Sequence, residues 1–317
     1  MNRRNLLRGF RNGKDVGSYV DIRFEIVGYT DLGKESIVFD TDIHYIDIGE
    51  GDPVLLIHGI GQSLYTWHNN IEALVKGGFR VIAVDLSGFG YSGHPNIYYT
   101  AEEYSMILDA FLNSLNLKRV HIAAFSTGCL SAACFAADHP KRVGKLVFVS
   151  PGCPNANYPF AMKFLATRLG NAISKLYFSE KSVRRALHDM FFDATHITKD
   201  VVEGYYAPYR NKSVRETLSM CMKHFDDEHT RSLLKDIKSE TIIFCGTDDK
   251  LLDKNMVEYY ANTVPGSRII RIRNCSHLLH EEKPVKFNDE MIRFLKKNTE
   301  EQQQESLSRS YRRAQVD

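Results

Sequence analysis

His121-Ile-Ala-Ala-Phe-Ser126-Thr-Gly-Cys-Leu-Ser-Ala-Ala-Cys-Phe-Ala136 reads as a short apolar strand, a serine between small residues, and an alanine-rich helix without proline. A side chain on so sharp a strand-to-helix turn stands clear of the backbone, and the amide N–H groups after it point toward whatever the hydroxyl attacks. Small neighbours are required, and Ala124 and Gly128 occupy the two positions where strand and helix backbones come closest. By itself the pentad is weak, because an ordinary buried turn produces the same string. The remainder of the chain decides between the two.

Pro53-Val-Leu-Leu-Ile57 is a continuous apolar run, as expected of a strand buried on both faces. Downstream, strand and helix patterns alternate: strand 80–85, helix 101–115, strand 120–125, helix 127–138 and strand 143–150. The pattern resumes with strand 241–245, a helix near 254–262, strand 268–272 and a final helix over about 285–297. Such alternation predicts a mostly parallel α/β sheet with helices on both faces. Upstream, residues 19–26 and 36–48 alternate polar and apolar side chains, which predicts a hairpin turning at Asp31-Leu-Gly-Lys34.

Between Gly152 and Glu240 the pattern is helical only, with Phe160, Met162, Phe164, Leu165, Leu176, Tyr177, Phe178, Met190, Phe191, Phe192, Tyr205, Tyr206 and Tyr209 as its apolar content. A strand-free insertion of that length is too long for a loop and suits a helical cap. Most of these side chains are expected to pack the cap itself, and a few to face the carboxyl edge of the sheet, where open α/β sheets bind ligands. The expected layout is a basic arm at 1–18, a core from 19–151 and 241–297, a cap at 152–240, and a polar, disordered tail at 298–317.

A chain of 317 residues can bury one large core, or a core and a subsidiary lobe. The hydrophobic share of 43% and charged share of 25% are those of a soluble globular protein. A net charge of +2, with no basic run interleaved with aromatics, argues against nucleic acid as a partner. Cys129, Cys134, Cys153, Cys221, Cys245 and Cys275 are scattered through apolar runs, which reads as reduced thiols of a cytoplasmic protein. Arg3-Arg4 resembles a twin-arginine signal, but Gly9-Phe-Arg-Asn-Gly-Lys-Asp15 follows where an apolar core is needed, so export is not expected. The arm instead reads as solvated, with weak contact to an anionic membrane surface as its alternative.

A serine hydroxyl needs a base to take its proton, and the base needs an acid to fix its tautomer. Two later strand ends offer both. Asp248 and Asp249, with Asp253 beyond them, follow strand 241–245, and His277 and His280 follow strand 268–272. All lie in loops on the same edge as Ser126, in the chain order Ser, Asp, His.

Ordered motifs now accumulate: His44-Tyr45, Gly49-Glu-Gly-Asp-Pro-Val-Leu-Leu-Ile-His58-Gly59, Asp85-Leu-Ser-Gly88-Phe-Gly90-Tyr-Ser92, the serine turn, the acid loop and the histidine loop ending in Glu282-Lys-Pro284. Together they resemble the α/β-hydrolase fold superfamily in its cap-bearing, esterase-like branch, over about residues 34–297. The resemblance implies Ser126 as nucleophile, His277 rather than His280 as general base, and Asp249 rather than Asp248 as the orienting carboxylate. It implies an oxyanion hole made by the backbone N–H groups of Ile60 and Thr127. Two residues depart from the family pattern. Ala124 replaces the first glycine of the serine turn and needs only slightly more room, while Ser276 replaces the glycine before the histidine and offers a hydrogen bond near His277. Serine rather than aspartate at the turn argues against an epoxide hydrolase or dehalogenase.

Other readings fail on context. Gly88-Phe-Gly90-Tyr-Ser-Gly93 has the spacing of a dinucleotide fingerprint, but His94-Pro-Asn96 follows in place of a helix. His224 and His229 are spaced i, i+5 and do not share a helix face, so a charged surface is expected there rather than a metal. His58 is expected to be a structural hydrogen-bonder, Trp67 a cap or core contact, and Asp85 the anchor of its turn.

The resulting expectation is an acyl-enzyme serine hydrolase acting on carboxylic esters with small or medium apolar acyl groups, needing no metal or organic cofactor. Cleavage of a carbon–carbon bond, a thioester or an amide, or acyl transfer, could use the same three residues. A ligand-binding regulator that signals through its cap is the alternative outside enzymes.

Overall fold

Each interior strand sends alternate side chains to opposite faces, and both faces are apolar. The computed structural model describes residues 16–30, 33–152, 178–224, 228–252 and 254–296. In β3 (Asp52–Ile57), Leu55 and Ile57 join one buried cluster while Val54 and Leu56 join another. β5 (Val120–Phe125) divides likewise, with Ile122 and Ala124 on the first face and Ala123 and Phe125 on the second. β6 (Val143–Val149) and β7 (Glu240–Gly246) follow the same rule. A sheet covered on both sides is what continuous apolar strands require.

The sheet has eight strands in the order β1-β2-β4-β3-β5-β6-β7-β8, completed by β1 (Ser18–Thr30), β2 (Gly33–Ile48), β4 (Phe79–Val84) and β8 (Arg268–Ile272). β3 to β8 run parallel, and only the β1/β2 and β2/β4 pairings are antiparallel. The expected hairpin is therefore the edge of the same sheet, joined where Tyr45 to Ile48 pair with Val84 to Val81. Both hairpin strands extend beyond the alternating runs, because backbone pairing continues to Thr30 and Gly33 after the side-chain pattern has faded.

Helices α1 (Ile71–Lys76), α2 (Ala101–Ser114) and α3 (Gly128–Asp138) connect the first strands. α2 starts at Thr100, whose side chain accepts the Glu103 N–H while the Glu103 carboxylate accepts the Thr100 N–H, a reciprocal cap that fixes the helix start. The short α1, and the 3-10 turn Leu64–Trp67 before it, carry too little periodicity to be read from sequence.

Between β6 and β7 the described elements are helical: α4 (Glu180–Met190), α5 (Lys199–Tyr206), α6 (Lys212–His224) and α7 (Glu228–Leu233), with short 3-10 turns. Val183, Leu187, Val202 and Tyr205 join the second core cluster, whereas Val214, Leu218 and Cys221 join the first. α8 (Lys254–Thr263), α9 (Leu279–Glu282) and α10 (residues 284–296) finish the described chain. Trp67 is a core residue, fully buried against His280 and Phe287. Cys129, Cys134, Cys221, Cys245 and Cys275 are buried free thiols. Among the described residues no helix is long and apolar enough to cross a membrane. The basic arm through Asp15, the tail from residue 298, Phe160, Met162, Phe164, Leu165, Leu176, Tyr177, Cys153 and Asp253 lie outside the described residues.

Candidate active site

β3 has β4 on one side and β5 on the other, so the chain leaves it in opposite directions and a crevice opens at its carboxyl end. The His58-Gly59-Ile60 loop and the Ser126 turn face each other there. Ser126 sits in the left-handed region with φ 53°, its N–H donating to the Val149 carbonyl at 2.9 Å. α3 begins two residues later, and a Cβ on Gly128 would lie 2.3 Å from the His58 carbonyl oxygen, so this position tolerates only glycine. Ala124 is fully buried between Ile57 and Phe148 in the sheet register, and its methyl fits without displacing either neighbour strand.

Ser126, His277 and Asp249 come together. Asp249 Oδ2 lies 2.8 Å from His277 Nδ1, and His277 Nε2 lies 3.0 Å from Ser126 Oγ. A carboxylate can only accept, so Nδ1 carries the ring proton and Nε2 presents its lone pair to the serine hydroxyl. Asp249 Oδ1 accepts the Leu251 and Leu252 amides at 2.9 and 3.3 Å. Burial pushes the Asp249 carboxyl up, but the His277 ring and those two amides outweigh it and hold the group below its ordinary value. The arrangement can therefore move a proton from hydroxyl to imidazole and stabilise the imidazolium that results.

The rejected neighbours are occupied elsewhere. Asp248 accepts from the Thr247 hydroxyl at 2.7 Å on the exposed side of its loop. His280 is fully buried, with Nε2 2.9 Å from Thr66 Oγ1 and its ring against Phe125. Burial, with His68 and His277 nearby, keeps that imidazole well below its ordinary range, so it is neutral.

His58 is the structural hydrogen-bonder that was expected. The Leu86 N–H donates to His58 Nε2 at 2.9 Å, which places the ring proton on Nδ1, where it donates to the Gly59 carbonyl at 2.7 Å. Asp85 anchors more than its turn: it accepts the Leu64 amide at 2.7 Å and the Tyr91 amide at 3.0 Å, and lies 2.7 Å from His44 Nδ1. The 3-10 turn Leu64–Trp67, the glycine turn and β2 are thus tied to one carboxylate.

The two amides expected to form the oxyanion hole differ. The Thr127 N–H has no hydrogen-bond partner among the described residues, whereas the Ile60 N–H donates to the Thr127 side-chain oxygen at 2.6 Å. Ser276 does not contribute the expected hydrogen bond: its hydroxyl is buried without a partner among the described residues. Three supporting side chains escape sequence reasoning. The Ser150 hydroxyl donates to the His277 carbonyl at 2.9 Å, Glu282 accepts the Ser276 amide at 2.6 Å, and the Tyr209 hydroxyl donates to the Gly61 carbonyl in the loop after β3. Ser150 carried one available signal, a polar residue at the carboxyl end of a strand on the same edge.

The fold and the Ser-His-Asp cluster define a hydrolase-type α/β protein. A family model for the alpha/beta hydrolase fold matches residues 52–284, and the chain belongs to that family. It is 26% identical over 275 residues, 83% of this chain and 94% of the relative, to a 2-hydroxy-6-oxo-6-phenylhexa-2,4-dienoate hydrolase of Comamonas testosteroni. It is 29% identical over 266 residues, 80% of this chain and 90% of the relative, to a 2-hydroxy-6-oxononadienedioate/2-hydroxy-6-oxononatrienedioate hydrolase of Cupriavidus pinatubonensis. Among solved structures, a carboxylesterase of Bacillus subtilis superposes with a TM-score of 0.70 at 21% identity, covering 92% of this chain and 97% of that one. At that identity the likeness speaks for the fold alone.

Proposed function

We propose that the protein is a serine hydrolase that cleaves a carbon–carbon bond beside a ketone, with Ser126 as nucleophile or proton relay, His277 as general base and acid, and Asp249 as the orienting carboxylate. The 3.0 Å approach of Ser126 Oγ to His277 Nε2, in the tautomer that Asp249 imposes, is the observation that carries the chemistry. The choice of bond draws support from the relatives, whose names specify hydrolases of 2-hydroxy-6-oxo dienoates across four-fifths of this chain. That reverses the order expected from sequence, where esters came first and carbon–carbon bonds were the alternative.

Attack at a ketone carbon differs from ester hydrolysis only in the leaving group, which departs as a carbanion and takes a proton from the imidazolium. Helices α4 to α7 act as a cap over the site, and Tyr209 links the cap to the oxyanion loop. The buried thiols suit a reducing, cytoplasmic setting. Incubating the protein with 2-hydroxy-6-oxo-6-phenylhexa-2,4-dienoate and, separately, with a chain-length series of p-nitrophenyl esters tests the reading. A higher kcat/KM on the dienoate, lost in Ser126→Ala, is expected. Turnover of esters alone returns the first expectation, and labelling by a fluorophosphonate without turnover of either class favours a ligand-binding regulator.

A further inference from the structure

The residue after Ser126 is built for more than its amide. Threonine at a helix start ordinarily uses its hydroxyl to cap the first turn, yet Thr127 has helical backbone angles and makes no such bond. Its side chain instead turns toward the facing loop, where its oxygen accepts the Ile60 N–H at 2.6 Å. Thr127 is 2% exposed, so this hydroxyl has no bulk water to satisfy it. A hydroxyl carries one hydrogen, and with a lone pair committed to Ile60 that hydrogen points away from the Ile60 amide. Among the described residues no acceptor receives it. A buried donor without an acceptor costs free energy unless a ligand supplies one.

The missing acceptor lies where the reaction would create it. When Ser126 Oγ bonds to a carbonyl carbon, the π electrons move to the carbonyl oxygen, which becomes an anion beside the Thr127 amide. We propose that Thr127 supplies two contacts to that oxyanion, its backbone N–H and its side-chain O–H, and that the Ile60 N–H acts one step back by orienting the hydroxyl. No proton is transferred to the anion; the hydroxyl donates a hydrogen bond, strengthened by the amide that donates into it. Thr127 then is a catalytic residue and Ile60 a positioning residue, in place of two equivalent backbone donors. The inference rests on Ser126 being the nucleophile.

The test uses the full chain, a fluorophosphonate probe and mass spectrometry of Ser126, so it needs no knowledge of the natural substrate. The second-order labelling rate is compared for wild type, Thr127→Ser, Thr127→Val and Thr127→Ala, with thermal unfolding recorded for each. Thr127→Val keeps the shape and loses the O–H, and its labelling rate is expected to fall about 100-fold. Thr127→Ser should stay within about threefold of wild type, since it retains the donor. Should Thr127→Val fail to fold, Thr127→Ala must show the same fall. Folded Val or Ala variants that label at the wild-type rate or faster overturn the proposal, because the hydroxyl would then merely block Ile60. A wild-type protein that is not labelled at all removes the nucleophile reading itself, and this inference with it.

Discussion

The backbone amide of Ser276 donates to the carboxylate of Glu282 at 2.6 Å, and the second oxygen of that carboxylate accepts the Phe192 and Asp193 amides at 2.7 and 3.0 Å. One side chain therefore ties the residue before His277 to the segment that follows α4. Glu282→Ala leaves three amides without this acceptor; Phe192 and Asp193 are exposed enough for water to replace it, whereas the Ser276 amide is buried, and a buried unsatisfied donor costs roughly 1–3 kcal/mol. Chemical denaturation should show a loss of about 1–3 kcal/mol for Glu282→Ala, with Glu282→Gln recovering a large part of it. An unchanged midpoint in the alanine variant would show that the bridge does not form in solution.

Asp249 and Asp248 are adjacent in sequence and opposite in surroundings, which makes them a matched pair for mutation. Asp249→Asn should lower kcat by on the order of 10,000-fold, because an amide that donates to Nδ1 forces the wrong ring tautomer. Asp248→Asn, altering a carboxylate that among the described residues is bonded only to its neighbour's hydroxyl, should leave kcat within about twofold. Equal effects of the two would reassign the acid.

The pH dependence of stability should carry the signature of Glu281. This carboxyl is buried in α9 among Tyr205 and Thr66, which donate to one of its oxygens, His68 at 3.7 Å, and the neighbouring His280 and Glu282. Burial pushes it up to about 8 from an ordinary 4.5, and the two hydroxyl donors only partly offset this. Between those values the unfolded chain has released a proton that the native state retains. Stability should therefore fall through that window, by up to about 1.4 kcal/mol per pH unit, and level off above it. Glu281→Gln keeps the shape of the neutral acid and removes the titration. Its stability, compared with wild type at pH 5 and pH 9, should decline less; parallel declines would mean that Glu281 is ionised in the folded protein.

Gly90 belongs to the turn whose spacing imitates a dinucleotide fingerprint, and the structure gives the glycine a different reason. Its φ is 57°, and a Cβ there would meet the Asp85 carboxyl carbon at 2.0 Å. Gly90→Ala would displace the carboxylate that holds Leu64, Tyr91 and His44 together, and should cost several kcal/mol, on the scale of other buried polar networks that lose a member. Gly266→Ala is the control, with a similar φ of 66° and nothing within 4 Å, and should cost only about 1 kcal/mol. Comparable melting temperatures for the two variants would refute this account of Gly90.

What could be read from the chain and what could not divide along physical lines. Ser126, Asp249 and His277 each follow an apolar strand run, and side-chain chemistry at a strand end survives in the order of residues. The parallel sheet is legible for the same reason, since alternate side chains must sort to two covered faces. Glu282, Ser150 and the Thr127 hydroxyl act on backbone groups of distant segments, and no periodicity records which segment lies opposite. The placement of the hairpin at the edge of the main sheet is hidden likewise, because β2 pairs with β4 through a backbone ladder and one ion pair, Asp47 with Arg80, and neither leaves a periodic trace in the sequence. Tyr205 shows the limit from the other side: an aromatic counted as cap content proves to be a hydroxyl donor to Glu281 in the core.

The left-handed backbone at Ser126 has a consequence for how the protein can evolve. A residue with a Cβ pays roughly 1–3 kcal/mol to sit there, whereas glycine is at ease in that conformation. Ser126→Gly should thus yield a molecule at least as resistant to heat as the parent and chemically inert. Descendants that gave up turnover while retaining the scaffold would have a downhill route to do so, through a single codon.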